Sequence, residues 1–483
     1  MGYNKELNQL IQTLNQQEIK SIYKQLKGKT FMTKLFKIYV EQTPPDINKI
    51  KKVNNYAVHQ NSLKHEILEY LSAYLGNMES IVNPLINKVN VLVDRRIYKE
   101  ATKLLNSAKA KCAYYEHFAR LLTINNLEIM TDNNGYQEKE SQLSKLISER
   151  QYYIQQLDIE TKFIKLFNLL IQDNLNNSQV CRSQVKIQHV QKILIEIEAI
   201  YEQYKKKEIE LGGFNQMHLY KNLLQLSTKL GHFKKSVEVA KKVLMVFNKF
   251  PFLIEVSANA YQNTLIAIVA RAALIADTTS FNFGKSKIEE LTKQTFRQKT
   301  YIRTFYPIAK INYAINSIAT NKEITSILNE MIEDYPKIKE HLGRKMVFEY
   351  PLRIAKTYLF LGEYNKAEHW LDTAKNAFVK DIEDDVYSAF YLYQLVVYYG
   401  QGMYELLPNK VESIQKHLQR TNNIYQVEKC LLKFFKNTDW KDTKQVKNLS
   451  TLQENLHKII GNNPYEKSYW QWHFNQRKSY CRI

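Results

Sequence analysis

Apolar residues recur along this chain with the spacing of amphipathic helices. Near the start, Leu7, Leu10, Ile11 and Leu14 follow the i, i+3, i+4, i+7 pattern that places apolar side chains on one helix face. The longest uninterrupted stretch with this period runs from Ser141 to Leu175. Because similar patterns recur almost everywhere, the sequence predicts an all-α fold.

The breaks in the pattern divide the chain into segments. Pro44-Pro45 interrupts the first short helices, and the polar stretch from Asn174 to Ser183, rich in Asn and Ser, predicts a linker. We expect residues 1–93 to form an N-terminal helical cap or small bundle, residues 94–175 to form helical hairpins with degenerate repeats, residues 176–440 to form an array of helical repeats, and residues 441–483 to form C-terminal capping helices with a basic aromatic tail.

Composition supports the helical prediction. The 483 residues include 13 Gly and 9 Pro, which together are under half of the roughly 12% found in average proteins. So few residues with access to positive φ cannot supply the tight turns of a sandwich, barrel or propeller. Long helices joined by short polar loops are the expected architecture.

Two helical segments resemble tetratricopeptide repeats, which are 34-residue helix-turn-helix units. In the segment Leu352 to Phe378, small, aromatic and Gly residues occupy the positions that this family requires: Ala355, Tyr358, Gly362, Tyr364, Ala367, Leu371 and Ala374. The segment Leu224 to Leu244 is similar, with Gly231, Phe233, Ser236, Ala240 and Val243 in the corresponding places. A third, degenerate unit near Tyr98 has Arg96 where Gly is expected.

The resemblance implies an α-solenoid: antiparallel helical hairpins stacked in a right-handed superhelix. Phe233 and Tyr364 are 131 residues apart, close to four units of 34. The concave groove of such a superhelix, lined by the first helix of each unit, holds an extended peptide or a partner's helix. Carried over from the family, the groove positions are His218, Lys221, Asn222, Gln225 and Lys229 in one unit and Glu349, Leu352, Arg353, Lys356 and Phe360 in the other.

These groove residues suggest an acidic partner, because Lys and Arg bind carboxylates through charge-assisted hydrogen bonds. The expected function is therefore that of a non-enzymatic protein-interaction scaffold or regulator. A peptide-sensing regulator, in which the N-terminal bundle is the effector, is one alternative.

Net charge supports another alternative. The chain carries 69 Lys and Arg against 48 Asp and Glu, a net charge of +21, and the excess is densest in residues 176–300. The segment Tyr465 to Ile483 adds Trp470, Trp472 and Phe474 among basic residues. Such a surface attracts polyanions, and aromatic side chains stack on bases. A nucleic-acid-binding protein is therefore the alternative function, although solvated helix faces and a capping helix explain the same features.

Motifs for catalysis, metal binding and export are not found in the sequence. Cys112, Cys181, Cys430 and Cys481 lie too far apart in the sequence for a zinc site or a disulfide framework. Gly284-Lys285-Ser286 lacks the first Gly of a phosphate-binding loop, since Thr279 occupies that position. The first twenty residues contain no apolar signal segment. The apolar run from Thr264 to Ala276 is too short to cross a bilayer and predicts a buried helix. We expect a cytoplasmic protein without a catalytic site, metal or cofactor.

Overall fold

The structure is a computed structural model of the chain. It describes residues 4–12, 14, 16–41, 45–74, 78–132, 139–176, 180–291, 296–317, 319–377, 384–420, 425–437, 445–463, 465, 466 and 470. Every regular element within these ranges is a helix; they comprise 23 α-helices and two single-turn 3-10 helices. The all-α prediction is confirmed.

The five N-terminal helices share a core of their own. They are α1 (Lys5–Gln12), α2 (Gln16–Gln25), α3 (Thr30–Glu41), α4 (Ile47–Lys51) and α5 (Tyr56–Tyr74). Leu7, Leu35, Phe36 and Tyr39 are fully buried in this core. The predicted break at Pro44-Pro45 falls between α3 and α4.

The next helices form consecutive packed pairs. They are α6 (Met78–Asp94), α7 (Tyr98–Tyr114), α8 (Phe118–Asp132), α9 (Lys139–Asn176) and α10 (Gln184–Lys206). Helix α9 has 38 residues and matches the long periodic stretch predicted from Ser141 to Leu175. Val82 and Val89 of α6 share a core with Ala101 and Leu105 of α7. Helix α6 therefore packs with α7 to α9, across the segment boundary expected after residue 93.

Four helical hairpins follow: α11–α12, α14–α15, α16–α17 and α18–α19. The helices are α11 (Gly213–Lys229), α12 (Phe233–Lys249), α13 (Phe252–Val256), α14 (Ala258–Leu274), α15 (Thr278–Leu291), α16 (Phe296–Asn316), α17 (Asn321–Ile338), α18 (Arg344–Leu361) and α19 (Tyr364–Asn376). Each hairpin contacts the next, because α12 packs on α14, α14 on α16, and α17 on α18. We call α11, α14, α16 and α18 the first helices of these hairpins.

The hairpins are longer than the 34-residue unit. The first helices begin at Gly213, Ala258, Phe296 and Arg344, so successive starts are 45, 38 and 48 residues apart. Three hairpin steps therefore separate Phe233 from Tyr364, and the expectation of about four is corrected. The reason is that the first helices have 17 to 21 residues and that the short helix α13 is inserted before α14.

Several of the described helices, including α6 before the array, end in the same way whether or not Gly is present. Gly231 and Gly362 adopt left-handed φ values of 71° and 76° after α11 and α18, and Arg96 and Ala276 adopt 62° and 52° after α6 and α14. In each case the next residue donates its backbone N–H to the carbonyl five positions earlier, as His232 does to Ser227 at 2.8 Å. This is the Schellman arrangement that satisfies the last carbonyls of a helix. A residue other than Gly thus occupies some of the turns, as Arg96 does at the position where the repeat pattern expects Gly.

The C-terminal helices pack against the middle of the chain. They are α20 (Asp384–Gly400), α21 (Leu407–Arg420), α22 (Gln426–Asn437) and α23 (Gln445–Asn462). Their core residues, including Leu395 and Leu431, share one cluster with Val180, Phe233 and Leu274. The far end of the array is therefore held against residues that lie more than 100 positions earlier in the sequence.

Candidate functional site

A cavity of about 310 Å³ lies between α9, α11, α14, α16 and α18. Each of the four first helices contributes one face to it. On α14 the lining residues Ala260, Asn263, Thr264, Ala267 and Arg271 follow the i, i+3, i+4, i+7, i+11 pattern of one side of a helix. The cavity is thus built from the same face of successive hairpins.

The apolar run predicted as a buried helix forms one wall of this cavity. Leu265, Ile268 and Val269 of α14 are buried against neighbouring helices, which confirms that prediction. Thr264 and Ala267 line the cavity on another side of the same helix. Burial of the apolar sides of α14 therefore fixes the direction in which Asn263 and Arg271 project.

Charged side chains reach the cavity from three helices. They are Lys221 of α11, Arg271 of α14, and Glu349 and Arg353 of α18. The Nζ atom of Lys221 lies 5.1 Å from the ring centroid of Phe167, which also lines the cavity. Burial lowers the pKa of Lys221 below its usual range, because the charged amine is withdrawn from water.

His218 lies one turn before Lys221 on α11. Burial is the main cause that lowers its pKa to about 4, and the charge of Lys221 acts in the same direction. Within the part of the chain that the structure describes, its Nδ1 atom is buried without a hydrogen-bond partner. The neutral imidazole is therefore the form that the folded protein favours.

The structure brings together four of the ten predicted groove residues. Lys221 and Gln225 of α11 line the cavity with Glu349 and Arg353 of α18, although more than 120 positions separate the two pairs. His218 and Phe360 are half-buried and are not among the lining residues. The two segments with repeat-like sequences therefore meet at one site.

The other four predicted groove residues are buried between helices, so their assignment to an open groove is corrected. Asn222 is 0% exposed and donates a hydrogen bond from Nδ2 to the carbonyl of Phe163, which attaches α11 to α9. Lys229 is 1% exposed, and Leu352 belongs to the core between α16 and α20. Lys356 is buried too, and burial holds its pKa well below the usual range. Neighbouring helices cover these first helices on more than one side. The helix face that is left to line a groove is therefore narrower than the tetratricopeptide pattern assigns.

The residues assigned to the repeat framework lie at turns and helix interfaces. Gly231 and Gly362 occupy the left-handed turns described above, and Tyr364, which begins α19, is half-buried. The remaining framework residues are buried: Phe233, Ser236, Ala240, Ala355, Tyr358, Ala367, Leu371 and Ala374.

Sequence reasoning missed a buried ion cluster centred on Arg182. Its guanidinium group donates to both carboxylate oxygens of Glu428, at 2.5 and 2.7 Å, and to Glu466 at 2.5 Å. The ring of Tyr425 lies 4.1 Å from the guanidinium carbon, and that of Trp470 lies 5.4 Å from it. The cluster joins the segment before α10 to α22 and the C-terminal residues.

This cluster corrects the prediction of a linker from Asn174 to Ser183. Residues 177–179 lie outside the described residues, but Val180, Cys181 and Arg182 are all buried. The backbone N–H of Cys181 also donates to the carbonyl of Lys229 at 2.8 Å. The sequence did contain one sign of this buried ion cluster, outside the predicted linker. Glu428 lies on the otherwise apolar face of α22, where a carboxylate is tolerated when a cation neutralises it.

Of the tail from Tyr465 to Ile483, the structure describes Tyr465, Glu466 and Trp470. Trp470 is 1% exposed, and its indole N–H donates to Glu466 at 3.0 Å. Trp470 therefore belongs to the buried cluster that also holds residues of α20 to α22. Trp472, Phe474 and the basic residues beyond them lie outside the described residues.

Cations of the basic middle are spread over several helices. Lys205, Lys206 and Lys207 are exposed at the end of α10. Lys241 of α12 donates to Ser280 at 2.7 Å, and Lys287 of α15 forms an ion pair with Glu290 at 3.0 Å. Part of the excess positive charge is therefore used in local contacts.

The GKS sequence at residues 284–286 lies within helix α15 rather than in a loop. Gly284 packs against α14, where a Cβ atom would meet a Val269 methyl group at 2.6 Å.

Among the described residues, no group of three or more His, Cys, Asp and Glu side chains is arranged to hold a metal ion. In the same part of the chain, no helix has the length and apolar character needed to cross a bilayer.

No protein-family model matches the chain, and no curated protein or solved structure is similar to it at a significant level.

Proposed function

We propose that this chain is a tetratricopeptide-like α-solenoid that works as a non-enzymatic scaffold or regulator in the cytoplasm. It would bind an acidic segment of another protein on the inner faces of its first helices. The succession of packed hairpins, with Gly231 and Gly362 at two of the turns, supports the solenoid interpretation. The free thiols of Cys112 and Cys181, both buried, are compatible with a reducing compartment.

The convergence of α11 and α18 on one cavity is the observation that carries this proposal. Lys221 and Arg353 come from the first helices of the two hairpins that contain the repeat-like sequences, and they line the same cavity together with Arg271 of α14. Cationic side chains at a partly buried site bind carboxylates more strongly than exposed ones do, because water screens the interaction less. An acidic segment is therefore the partner that the lining favours.

The nucleic-acid alternative has one observation in its favour. Lys205, Lys206 and Lys207 are exposed side by side at the end of α10, and such a cluster attracts phosphate groups. The burial of Trp470 argues against its stacking on bases. The peptide-sensing alternative draws support from the separate core of α1 to α5, which fits an effector unit.

Retention of host proteins on three immobilised forms of the chain tests the proposal. These are the wild type, Lys221→Glu, which reverses a charge in the cavity, and Lys234→Glu, which makes the same change on the exposed face of α12. After nuclease treatment of the extract, we expect a defined set of proteins to bind the wild type and Lys234→Glu but to be lost from Lys221→Glu. Equal retention by all three forms would contradict the cavity as the binding site. Retention that disappears with nuclease would favour the nucleic-acid alternative.

A further inference from the structure

The lining of the cavity has an excess of positive charge. Among the described residues that line it, Lys221, Arg271 and Arg353 are cationic and Glu349 is the one carboxylate, so the lining carries two net positive charges when all four are ionised. A concave surface with one sign of charge raises the local concentration of ions of the opposite sign. The cavity therefore favours an anion.

The volume of the cavity limits the size of that anion. Its volume of about 310 Å³ falls at the lower end of the usual range for small-ligand sites, about 300 to 1,000 Å³. A small organic anion therefore has a suitable size.

The other lining residues indicate what the anion carries besides its charge. Phe167, Phe305 and Met346 provide apolar surface, and Gln225 and Asn312 provide amide groups. Apolar walls with a few polar groups are typical of sites that hold an organic ligand in one orientation. Arginine guanidinium groups match the planar geometry of a carboxylate.

We infer that the cavity binds a small free carboxylate with a short apolar body, whether or not a protein partner is present. Such a ligand would contact α11, α14, α16 and α18 at once and would hold four successive hairpins in one arrangement. This inference uses the cavity described above but does not depend on the proposed protein partner.

Titration of the purified full-length chain with three probes tests this inference. They are 3-phenylpropionate, its neutral analogue 3-phenylpropanamide, and glutarate, which has no aromatic ring. We expect saturable binding of at least one of the two acids by isothermal titration calorimetry, at least about tenfold tighter than binding of the amide. Absence of saturable binding of both acids up to about 10 mM would overturn the inference, as would equal affinity for the amide.

Matched variants locate the bound probe. Lys221→Gln removes a cavity charge and should weaken binding of the acid by about tenfold. The control Lys234→Gln, at an exposed position of α12, should leave the affinity for the acid unchanged. Gln225→Leu, which removes an amide from the lining, is the second cavity variant and should also weaken binding. Equal affinity in the wild type and both cavity variants would overturn the assignment. Since no partner is present in this titration, its result is independent of whether a protein is captured in the retention experiment.

Discussion

The environment of single residues in this fold can reverse the usual effect of a substitution. Replacing Gly by Ala inside a helix normally stabilises a protein, because Ala loses less backbone entropy on folding. At Gly284 the added methyl group would collide with Val269 of α14. At Gly461 of α23, no atom of the described residues lies within 4 Å of an added Cβ. The two positions therefore form a matched pair.

We predict that Gly284→Ala lowers the free energy of unfolding by about 1 to 3 kcal/mol through overpacking. Gly461→Ala should raise it slightly, by up to about 1 kcal/mol. Urea unfolding of both variants measures the difference. A stabilising effect of Gly284→Ala would show that α14 and α15 are not in close contact there.

His218 predicts a dependence of stability on pH. Its pKa is about 4 in the folded chain, below the value of ~6.5 for an unperturbed histidine. The unfolded chain therefore binds a proton at a higher pH than the folded chain does, so this contribution to stability is complete above pH ~6.5 and is lost as pH falls towards 4. The loss amounts to at most about 3 kcal/mol.

Denaturation midpoints recorded between pH 7 and pH 4 should fall less steeply for His218→Gln than for the wild type. His232→Gln, at an exposed histidine, should keep the wild-type slope. If His218→Gln and the wild type fall in parallel, His218 is not buried as the structure has it.

At the scale of helices and turns, several helices end in the same left-handed geometry. The Gly residues that favour this geometry are what allowed some of the turns to be predicted from the sequence. The left-handed residue after α18 is Gly362, and at that position Gly avoids the cost that a Cβ atom imposes. The corresponding residue after α6 is Arg96, which is exposed and has φ = 62°. A residue with a Cβ atom in this conformation costs about 1 to 2 kcal/mol.

We predict that Arg96→Gly stabilises the chain by about 0.5 to 1 kcal/mol, because the gain at the turn is partly offset by the greater freedom of Gly in the unfolded chain. Gly362→Ala should destabilise it by a similar amount. No atom of the described residues lies within 4 Å of the added Cβ, so the cost comes from the backbone. Chemical denaturation tests both variants. Changes of the same sign at the two turns would contradict a common helix-end geometry.

Helices were predictable from the sequence because their apolar period is a local property, as the match between α9 and the stretch from Ser141 to Leu175 shows. Four of the ten groove residues were assigned incorrectly for a physical reason. A family pattern indicates which side of α11 faces inward, but it does not indicate that α9 covers Asn222. Burial of Lys356 likewise depends on helices that are distant in the sequence. Such contacts are not encoded in any local pattern.

At the scale of the whole molecule, the cluster around Arg182 attaches the C-terminal helices to the middle of the chain. The side chains of Arg182 and Glu428 are 0% exposed, and that of Glu466 is 3% exposed. Burial is the main cause that raises the pKa of Glu428, and the neighbouring carboxylate of Glu466 acts in the same direction, against the stabilising charge of Arg182. Removing one partner from such a cluster leaves a buried charge without compensation.

We predict that Arg182→Met lowers the free energy of unfolding by about 3 to 5 kcal/mol. The triple variant Arg182→Met, Glu428→Leu, Glu466→Met should recover most of this loss, because it removes all three charges together. Urea denaturation of the two variants and the wild type measures both effects. A loss below about 1 kcal/mol in Arg182→Met would contradict the burial of this cluster.

The convergence of α11 and α18 on one cavity supports both proposals, and crosslinking measures it most directly. In a background without the native cysteines, Gln225→Cys and Glu349→Cys place thiols on lining residues that are 124 positions apart in the sequence. A short bis-maleimide should join the two thiols within one molecule, because both residues line the same cavity and the effective concentration of the second thiol is therefore high. The control pair Gln225→Cys and Lys375→Cys, which replaces a lining residue and an exposed residue of α19, should give little of this product. Efficient intramolecular crosslinking of the first pair is the predicted result; its absence, or equal crosslinking of both pairs, would contradict a shared cavity.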